Sequence, residues 1–211
     1  MGPEKIQLLY LESAESRFSW ECQLYSAVSD KTALERIFTE TAGLIAVHAE
    51  DEDRMAERRK LIEGRTDIAA HAYYRDDITA LMATKLSVEL AHKTGHRLHI
   101  LHLTSGIEAD YLNDHCTLPS MADGYPIITT EVLPQHLTFD ETDVDEHGVR
   151  LQMNPPIRYA KDREILWQRL VDGTIHVSLQ TMRLTHWKQN RKVFLKRQVV
   201  CRELKHHCLS C

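Results

Sequence analysis

Two short apolar runs that each end in a histidine dominate the hydrophobic pattern of the chain. Leu44–Val47 runs directly into His48 and an acidic segment, and the run Leu98–Leu101 delivers His102 in the same way. Runs of this length, each followed by a helical pattern, predict short buried strands of βα units. In barrels of parallel strands, polar residues at the carboxyl ends of strands carry the chemistry. We therefore expect His48 and His102 to face a common cleft.

The rest of the pattern predicts alternating helices and strands. Helical spacing with polar starts and glycine stops predicts helices over about 29–43, 51–64, 78–95, 106–115 and 160–173. Strands are predicted within 126–137 and from 174 onward, with a polar excursion and a turn at His147–Gly148 between them. The prolines of MNPPIR, Met153–Arg158, exclude the interior of a helix there. This order of elements favours an α/β fold with parallel strands.

Composition narrows the class of protein. The 211 residues carry a formal charge of -5 and 43% apolar residues, which is ordinary for a globular domain. No apolar run approaches the roughly 18 residues of a membrane helix, and the N-terminus lacks the pattern of a secretory signal. The five cysteines are unevenly placed, which argues against a disulfide framework. A cytoplasmic protein without a membrane partner is therefore expected.

The two strand-end histidines and one loop asparagine are the candidates for chemistry. Neutral imidazoles on rigid strand ends bind zinc well, although a lone histidine at such a position is more often structural. For a matched pair such as His48 and His102, a role as zinc ligands and a structural role are about equally favoured. His99 lies three residues before His102 and points to the other face, where a structural role is expected. The amide of Asn154 either forms a turn or bonds to a planar ring amide.

Five segments together resemble dihydroorotase, of the amidohydrolase superfamily, over about 28–177: VHAED, HILHLTSG, ITTEVLPQHL, MNPPIR and LWQRLVDGTI. The resemblance implies a metal-dependent (β/α)8 TIM barrel, of which roughly half is present. It implies the interconversion of dihydroorotate and N-carbamoyl-aspartate in pyrimidine biosynthesis. It also implies that His48 and His102 bind zinc, with one or two ions in the family, and that Asn154 contacts the substrate. Thr130, Gln135 and His136 fall in a family signature and receive no catalytic role.

Several motifs that the family uses do not occur in this sequence. The family's first strand carries a His-x-His pair and an arginine that binds the substrate carboxylate. A metal-bridging lysine lies in a GxKxFMG-like strand, and the catalytic aspartate lies in DHAPH. Without these groups, two histidines are expected to bind zinc weakly or not at all, and the attacking water has no base. The chain is therefore expected to be inactive.

The two ends of the chain allow the missing motifs in a shifted reading frame. In this shifted frame, the third base of each codon is read together with the first two bases of the next codon. The codons for Tyr10–Glu21 can then encode LGVRGIKIFMG, and those for Val177–Gln189 can encode IATDHAPHTLEAK. Most letters depend on synonymous codons, but Trp20–Glu21 forces the final glycine and Trp187–Lys188 forces the glutamate. The chain is therefore interpreted as a barrel segment, 29–177, between an atypical segment, 1–28, and a basic tail, 178–211. The first is out of frame from about residue 10, and the tail throughout.

Other hypotheses remain open. The substrate class could be that of hydantoinases or allantoinases, since the substrate-binding arginine that would decide is absent. A non-catalytic dihydroorotase-like scaffold for a carbamoyltransferase, or a homo-oligomer, also fits the loss of catalytic residues. The tail, with Trp187 and Phe194 among its basic residues, could bind nucleic acid, and HHCLSC at His206–Cys211 could be taken for a metal knuckle. Both are weak, because a single C-x-x-C is unspecific.

Overall fold

Four short strands pair in parallel and in chain order in the computed structural model, which describes residues 31–115 and 126–178. Ile45 lies opposite Leu98, and Leu98 lies opposite Ile128, so the first three strands start at one level. The strands are β1 (Ile45–Val47), β2 (Leu98–Ile100), β3 (Ile128–Val132) and β4 (Val177–Ser178). Parallel neighbours need crossover connections, which helices supply here. This confirms the predicted α/β class.

Seven helices lie in the described residues: α1 (Lys31–Glu40), α2 (Glu52–Arg59), α3 (Ala69–Tyr74), α4 (Asp77–Thr94), α5 (Gly106–His115), α6 (Glu141–His147) and α7 (Ala160–Val171). Short 3-10 turns, Lys60–Ile62 and Gly148–Leu151, follow α2 and α6. Helix α4 begins where the Asp76 side chain accepts a hydrogen bond from Thr79 N and ends at Gly95, which adopts a left-handed φ of 68°. Both ends follow from ordinary capping chemistry. None of these helices is long and apolar enough to cross a bilayer.

The core lies between the sheet and the inner faces of the helices. Its apolar residues come from both kinds of element, and the largest of the fully buried ones are Phe38, Ile45, Val88, Leu98, Ile100, Leu103, Leu112, Val132 and Leu166. Helices α5 and α7 pack so closely that a Cβ added at Gly106 would lie 2.5 Å from Ile165 Cδ1. The backbone N–H of Gly106 also donates to Asp162 of α7 at 2.8 Å. This packing holds the segment after β2 against the MNPPIR side of the molecule.

The polar stretches differ most from the predicted pattern. Helices α3 and α6 form within segments that were expected to be loops, and β3 ends at Val132, five residues before the predicted end. A capping box at Asp140 starts α6, whose seven residues include none that is buried. Such helices lack an apolar stripe, so hydrophobic periodicity gives no signal for them. The segments 1–30, 116–125 and 179–211 lie outside the described residues, and with them the nucleic-acid hypothesis and HHCLSC. The frame-shifted stretches lie there too, except for Val177 and Ser178 at the start of the second stretch, which form β4.

Candidate metal centre

The two predicted ligand histidines meet at the carboxyl ends of β1 and β2. His48 follows β1 directly and His102 follows β2 by two residues, so both rings lie at the same edge of the sheet. His48 Nδ1 lies 3.0 Å from His102 Nε2. The ring centroids are 4.7 Å apart, and the rings cross at 78°. The structure thus brings together two imidazole nitrogens from positions 54 residues apart.

Glu50 fixes the hydrogen-bonding state of His48. Its carboxylate is fully buried and lies 2.8 Å from His48 Nε2, and it also pairs with Arg75. Burial opposes ionisation of Glu50, but the hydrogen bond with His48 and the charge of Arg75 outweigh it and lower the pKa of Glu50. A carboxylate can only accept, so Nε2 of His48 carries the hydrogen. In the neutral ring, Nδ1 then presents its lone pair to His102.

His102 is held neutral and in an uncommon backbone conformation. Burial, and then the proximity of His48, lower the pKa of His102 to about 4, so its ring is uncharged near neutral pH. Its φ of 36° is the only positive value among the described residues other than glycine. Nδ1 of His102 is buried without a hydrogen-bond partner. With its hydrogen on Nε2, His102 donates to the lone pair of His48 Nδ1; in the other tautomer, with the hydrogen on Nδ1, both facing nitrogens present lone pairs.

Glu131, on β3, contacts the segment around His102. One carboxylate oxygen accepts the backbone N–H of His102 at 3.2 Å, and the other lies 3.1 Å from Nε2 of His99. Nδ1 of His99 in turn lies 2.8 Å from Oγ1 of Thr129. The sequence analysis missed Glu50 and Glu131. Glu50 stood in the acidic segment after His48, and Glu131 stood inside a predicted strand, where a buried carboxylate signals a specific partner.

Asn154 and the three signature residues make separate contacts. Asn154 is exposed, and its Oδ1 accepts from Nε2 of His71 at 3.0 Å. His136 is buried, with Nε2 3.3 Å from the carbonyl of Pro155, and burial lowers the pKa of His136 to about 3. Thr130 donates to the carbonyl of Thr174 at 2.7 Å. Gln135 is half-buried and helps to form the turn after β3.

The histidine pair fits a metal ion as part of a larger ligand set. Burial keeps the His102 ring uncharged, and a carboxylate supports the His48 ring, as is common around histidine ligands. Within residues 31–115 and 126–178, no group of three or more His, Cys, Asp or Glu side chains is arranged to hold a metal. A tetrahedral zinc site has four ligands. The two histidines would make up half of such a set.

Known proteins with similar sequences cover this same region. The chain is 34% identical over 136 residues to a dihydroorotase of Halobacterium salinarum, a match that covers 64% of this chain and 28% of that protein. It is 32% identical over 149 residues to a D-phenylhydantoinase of Escherichia coli, covering 69% of this chain and 31% of that protein. The chain thus spans about a third or less of the length of these curated relatives. No protein-family model matches it.

Solved structures give the same picture for the fold. An L-hydantoinase (dihydropyrimidinase) from Arthrobacter aurescens superposes with a TM-score of 0.64 and 25% identity, over 71% of this chain and 33% of that one. A D-hydantoinase from Bacillus sp. AR9 superposes with a TM-score of 0.63 and 26% identity, over 73% and 34% of the two chains. The described α/β unit therefore corresponds to about a third of each of these chains.

Proposed function

We propose that this chain, a relative of the dihydroorotases and hydantoinases of the amidohydrolase superfamily, carries two zinc ligands of a hydrolase that acts on the C–N bond of a cyclic amide. The observation that carries the proposal is the contact of His48 Nδ1 with His102 Nε2 at 3.0 Å, at the ends of adjacent parallel strands. In barrel enzymes this end of the strands carries the active site. The four strands in chain order then correspond to half of a (β/α)8 barrel.

Within this class, dihydroorotase is the preferred activity. The MNPPIR loop and the PQHL turn support the reversible hydrolysis of dihydroorotate to N-carbamoyl-aspartate. Asn154 is the proposed substrate contact: its oxygen is engaged by His71, so its NH2 group is the part that can donate to a ring carbonyl. The alternative is a hydantoinase or allantoinase substrate, which the match to D-phenylhydantoinase supports. Pyrimidine biosynthesis is the pathway that the preferred activity implies.

The roles of the chain's own residues follow from their contacts. A bound zinc ion would supply an acidified water at neutral pH and a positive charge for a developing oxyanion. Glu50 keeps the hydrogen of His48 on Nε2, so that Nδ1 can act as a ligand. Burial keeps His102 uncharged. Since the DHAPH aspartate does not occur in this sequence, no residue is assigned as the base, and we propose that the chain by itself is inactive.

A non-catalytic role is the second candidate. Loss of the base and of half the ligand set, with retention of the fold around the histidine pair, suits a scaffold that binds a carbamoyltransferase or a second copy of the chain. Copurification of the full chain with a carbamoyltransferase, together with zinc-independent stability, would favour this role over the enzymatic one.

Zinc binding by the full chain tests the proposal. Titration of the purified protein should give saturable binding that His48→Ala and His102→Ala each weaken by about tenfold or more. His92→Ala, at an exposed histidine of α4, is the matched control and should bind zinc as the wild type does. Equal affinity in all four proteins would remove the proposed site.

Turnover assays separate the remaining alternatives. Neither dihydroorotate nor hydantoin should be hydrolysed by the zinc-loaded chain. Turnover of dihydroorotate with stoichiometric zinc would overturn the proposed inactivity and support the preferred substrate. Turnover of hydantoin alone would favour the alternative substrate class.

A further inference from the structure

Glu131 combines a buried charge with two bonds to the segment that carries His102. Its side chain is about 2% exposed, and Oε1 accepts the backbone N–H of His102 at 3.2 Å. Its own backbone carbonyl accepts the N–H of Leu103 at 2.8 Å. Two consecutive amides at the end of β2 therefore bond to one residue of β3. A buried carboxylate without such partners would be strongly unfavourable.

The backbone of His102 needs such support. At a φ of 36°, a residue with a Cβ lies in the left-handed region, which is costly for side chains other than glycine and asparagine. The preceding residue, Leu101, still pairs with β1 through Val47 O at 3.0 Å, whereas Leu103 pairs with β3. At His102 the backbone therefore changes from pairing with the β1 strand to pairing with the β3 strand. Its conformation sets the direction in which the ring leaves the chain, and hence its contact with His48.

The carboxylate is itself held in place. Nε2 of His99 lies 3.1 Å from Oε2 of Glu131, and Nδ1 of His99 lies 2.8 Å from Oγ1 of Thr129. Thr129 and Glu131 are both on β3, and His99 is on β2. This arrangement leaves Oε1 directed at the amide of His102 and restricts rotation of the carboxylate. His99 therefore supports His102 through Glu131.

We infer that Glu131 is the positioning residue of the histidine pair: its carboxylate holds the left-handed backbone of His102 and thereby aims that ring at His48. The inference rests on the proposed function only for its consequence, the alignment of two zinc ligands. The positioning itself concerns one hydrogen bond and one backbone conformation. It requires the length and the acceptor atom of the side chain at position 131, and it does not require the negative charge.

Two conservative variants of the full chain separate length from charge. Glu131→Gln keeps the length and one acceptor oxygen. Its NH2 group can donate to Nε2 of His99 when that ring carries its hydrogen on Nδ1, which then donates to Oγ1 of Thr129. Glu131→Asp keeps the charge but shortens the reach by one methylene. In NMR spectra of labelled protein, the wild type and Glu131→Gln should show two signals at His102: a Cα chemical shift typical of a left-handed backbone conformation, and a slowly exchanging amide. Glu131→Asp should lose the shift, and its His102 amide should exchange about tenfold faster, as expected for one lost hydrogen bond.

Glu108→Asp is the matched control, since Glu108 is equally buried and bonds to Thr84 rather than to His102. It should leave the shift and exchange of His102 as in the wild type. Preservation of both signals in Glu131→Asp would overturn the inference, as would their loss in a Glu131→Gln protein that still unfolds cooperatively.

Zinc affinity distinguishes this inference from the proposed function. If both hold, Glu131→Asp weakens zinc binding by about tenfold and Glu131→Gln does not. If the wild type binds no zinc but the NMR signals of His102 follow the expected order, the metal function fails and the positioning role stands. If zinc binds and Glu131→Asp changes neither the affinity nor the exchange of His102, the positioning role fails and the metal function stands.

Discussion

Arg158 donates from Nε to Oγ1 of Thr104 at 2.9 Å and so joins the MNPPIR loop to the segment that follows β2. Its Nη1 also donates to the backbone carbonyl of Arg75, next to the end of α3. The side chain is buried, and burial lowers the pKa of Arg158, while the nearby carboxylates of Glu50 and Glu108 act in the opposite direction. One buried cation thus connects the three segments that surround the histidine pair.

Arg158→Met should therefore be strongly destabilising. The variant removes two hydrogen bonds between segments and leaves the buried carboxylate of Glu50 with less compensating charge, which typically costs about 3–5 kcal/mol. Urea unfolding at neutral pH measures the change. Arg36→Met is the matched control, because Arg36 pairs with Glu40 on the exposed face of α1. The control should unfold at the wild-type midpoint, and equal shifts in the two variants would contradict the prediction.

Glu108 makes stability fall as the pH rises. Burial, partly offset by the hydrogen bond from Thr84, raises the pKa of Glu108 from 4.5 to about 7. The folded protein therefore binds a proton that the unfolded chain releases above about pH 4.5. The favourable contribution is complete below that pH and is lost between about pH 4.5 and 7, where the ionised group must be buried. A shift of this size corresponds to roughly 3 kcal/mol.

Glu108→Gln tests this linkage. Glutamine keeps an oxygen that can accept from Thr84 but does not ionise, so the variant should be more stable than the wild type at pH 8 and similar at pH 4.5. The free energy of unfolding, measured from pH 4 to 8, should fall less steeply with pH than in the wild type. Parallel curves for the two proteins would show that Glu108 does not titrate in this range.

Gly106→Ala should destabilise the contact between α5 and α7. The added Cβ would lie 2.5 Å from Ile165 Cδ1 and 3.1 Å from Ile165 Cβ, so the Ile165 side chain has to turn away and its Cβ has to yield by a few tenths of an ångström. Overpacking of this kind costs about 1–3 kcal/mol. Ile165→Val removes the nearer atom, and the double variant should lose clearly less stability than the sum of the two single variants. Simple additivity in thermal unfolding would contradict the contact.

Asp76 should contribute to stability both as a cap and as an ion-pair partner. Its side chain accepts from Thr79 N at 2.9 Å and from Arg54 Nε at 2.9 Å. Burial opposes ionisation, but these bonds outweigh it and lower the pKa of Asp76 from 3.8 to about 2. Its contribution is therefore present above about pH 4 and lost as the pH falls toward 2. Loss of the cap in Asp76→Ala should cost about 1–2 kcal/mol at pH 7.

Asp76→Asn separates the two contributions. Asparagine can still cap α4 but carries no charge, so this variant should keep most of the stability at pH 7 and show a weaker loss between pH 4 and 2. Thermal unfolding across that range is the measurement. If asparagine and alanine are equally destabilising at pH 7, the ion pair and not the cap supports the helix start.

The elements with an apolar stripe or a capped end were predictable from the sequence. Helix α5 occupies the predicted residues, and α4 ends at Gly95, the glycine that was predicted to stop it. The approach of His48 to His102 also followed from pattern, because equivalent positions at the ends of adjacent parallel strands must share an edge of the sheet. Their role as zinc ligands stays a prediction, as does the substrate contact of Asn154.

Only the tertiary structure decided which polar side chains support the pair. Hydrophobic periodicity indicates whether a position faces the core. It predicts no partner for the polar side chains of Glu50, Glu131 and Arg158. Their partners lie 25, 29 and 54 residues away, at Arg75, His102 and Thr104. A buried charge is tolerated where specific partners converge on it in space. That convergence depends on how strands and loops pack, which no pattern along the chain encodes locally.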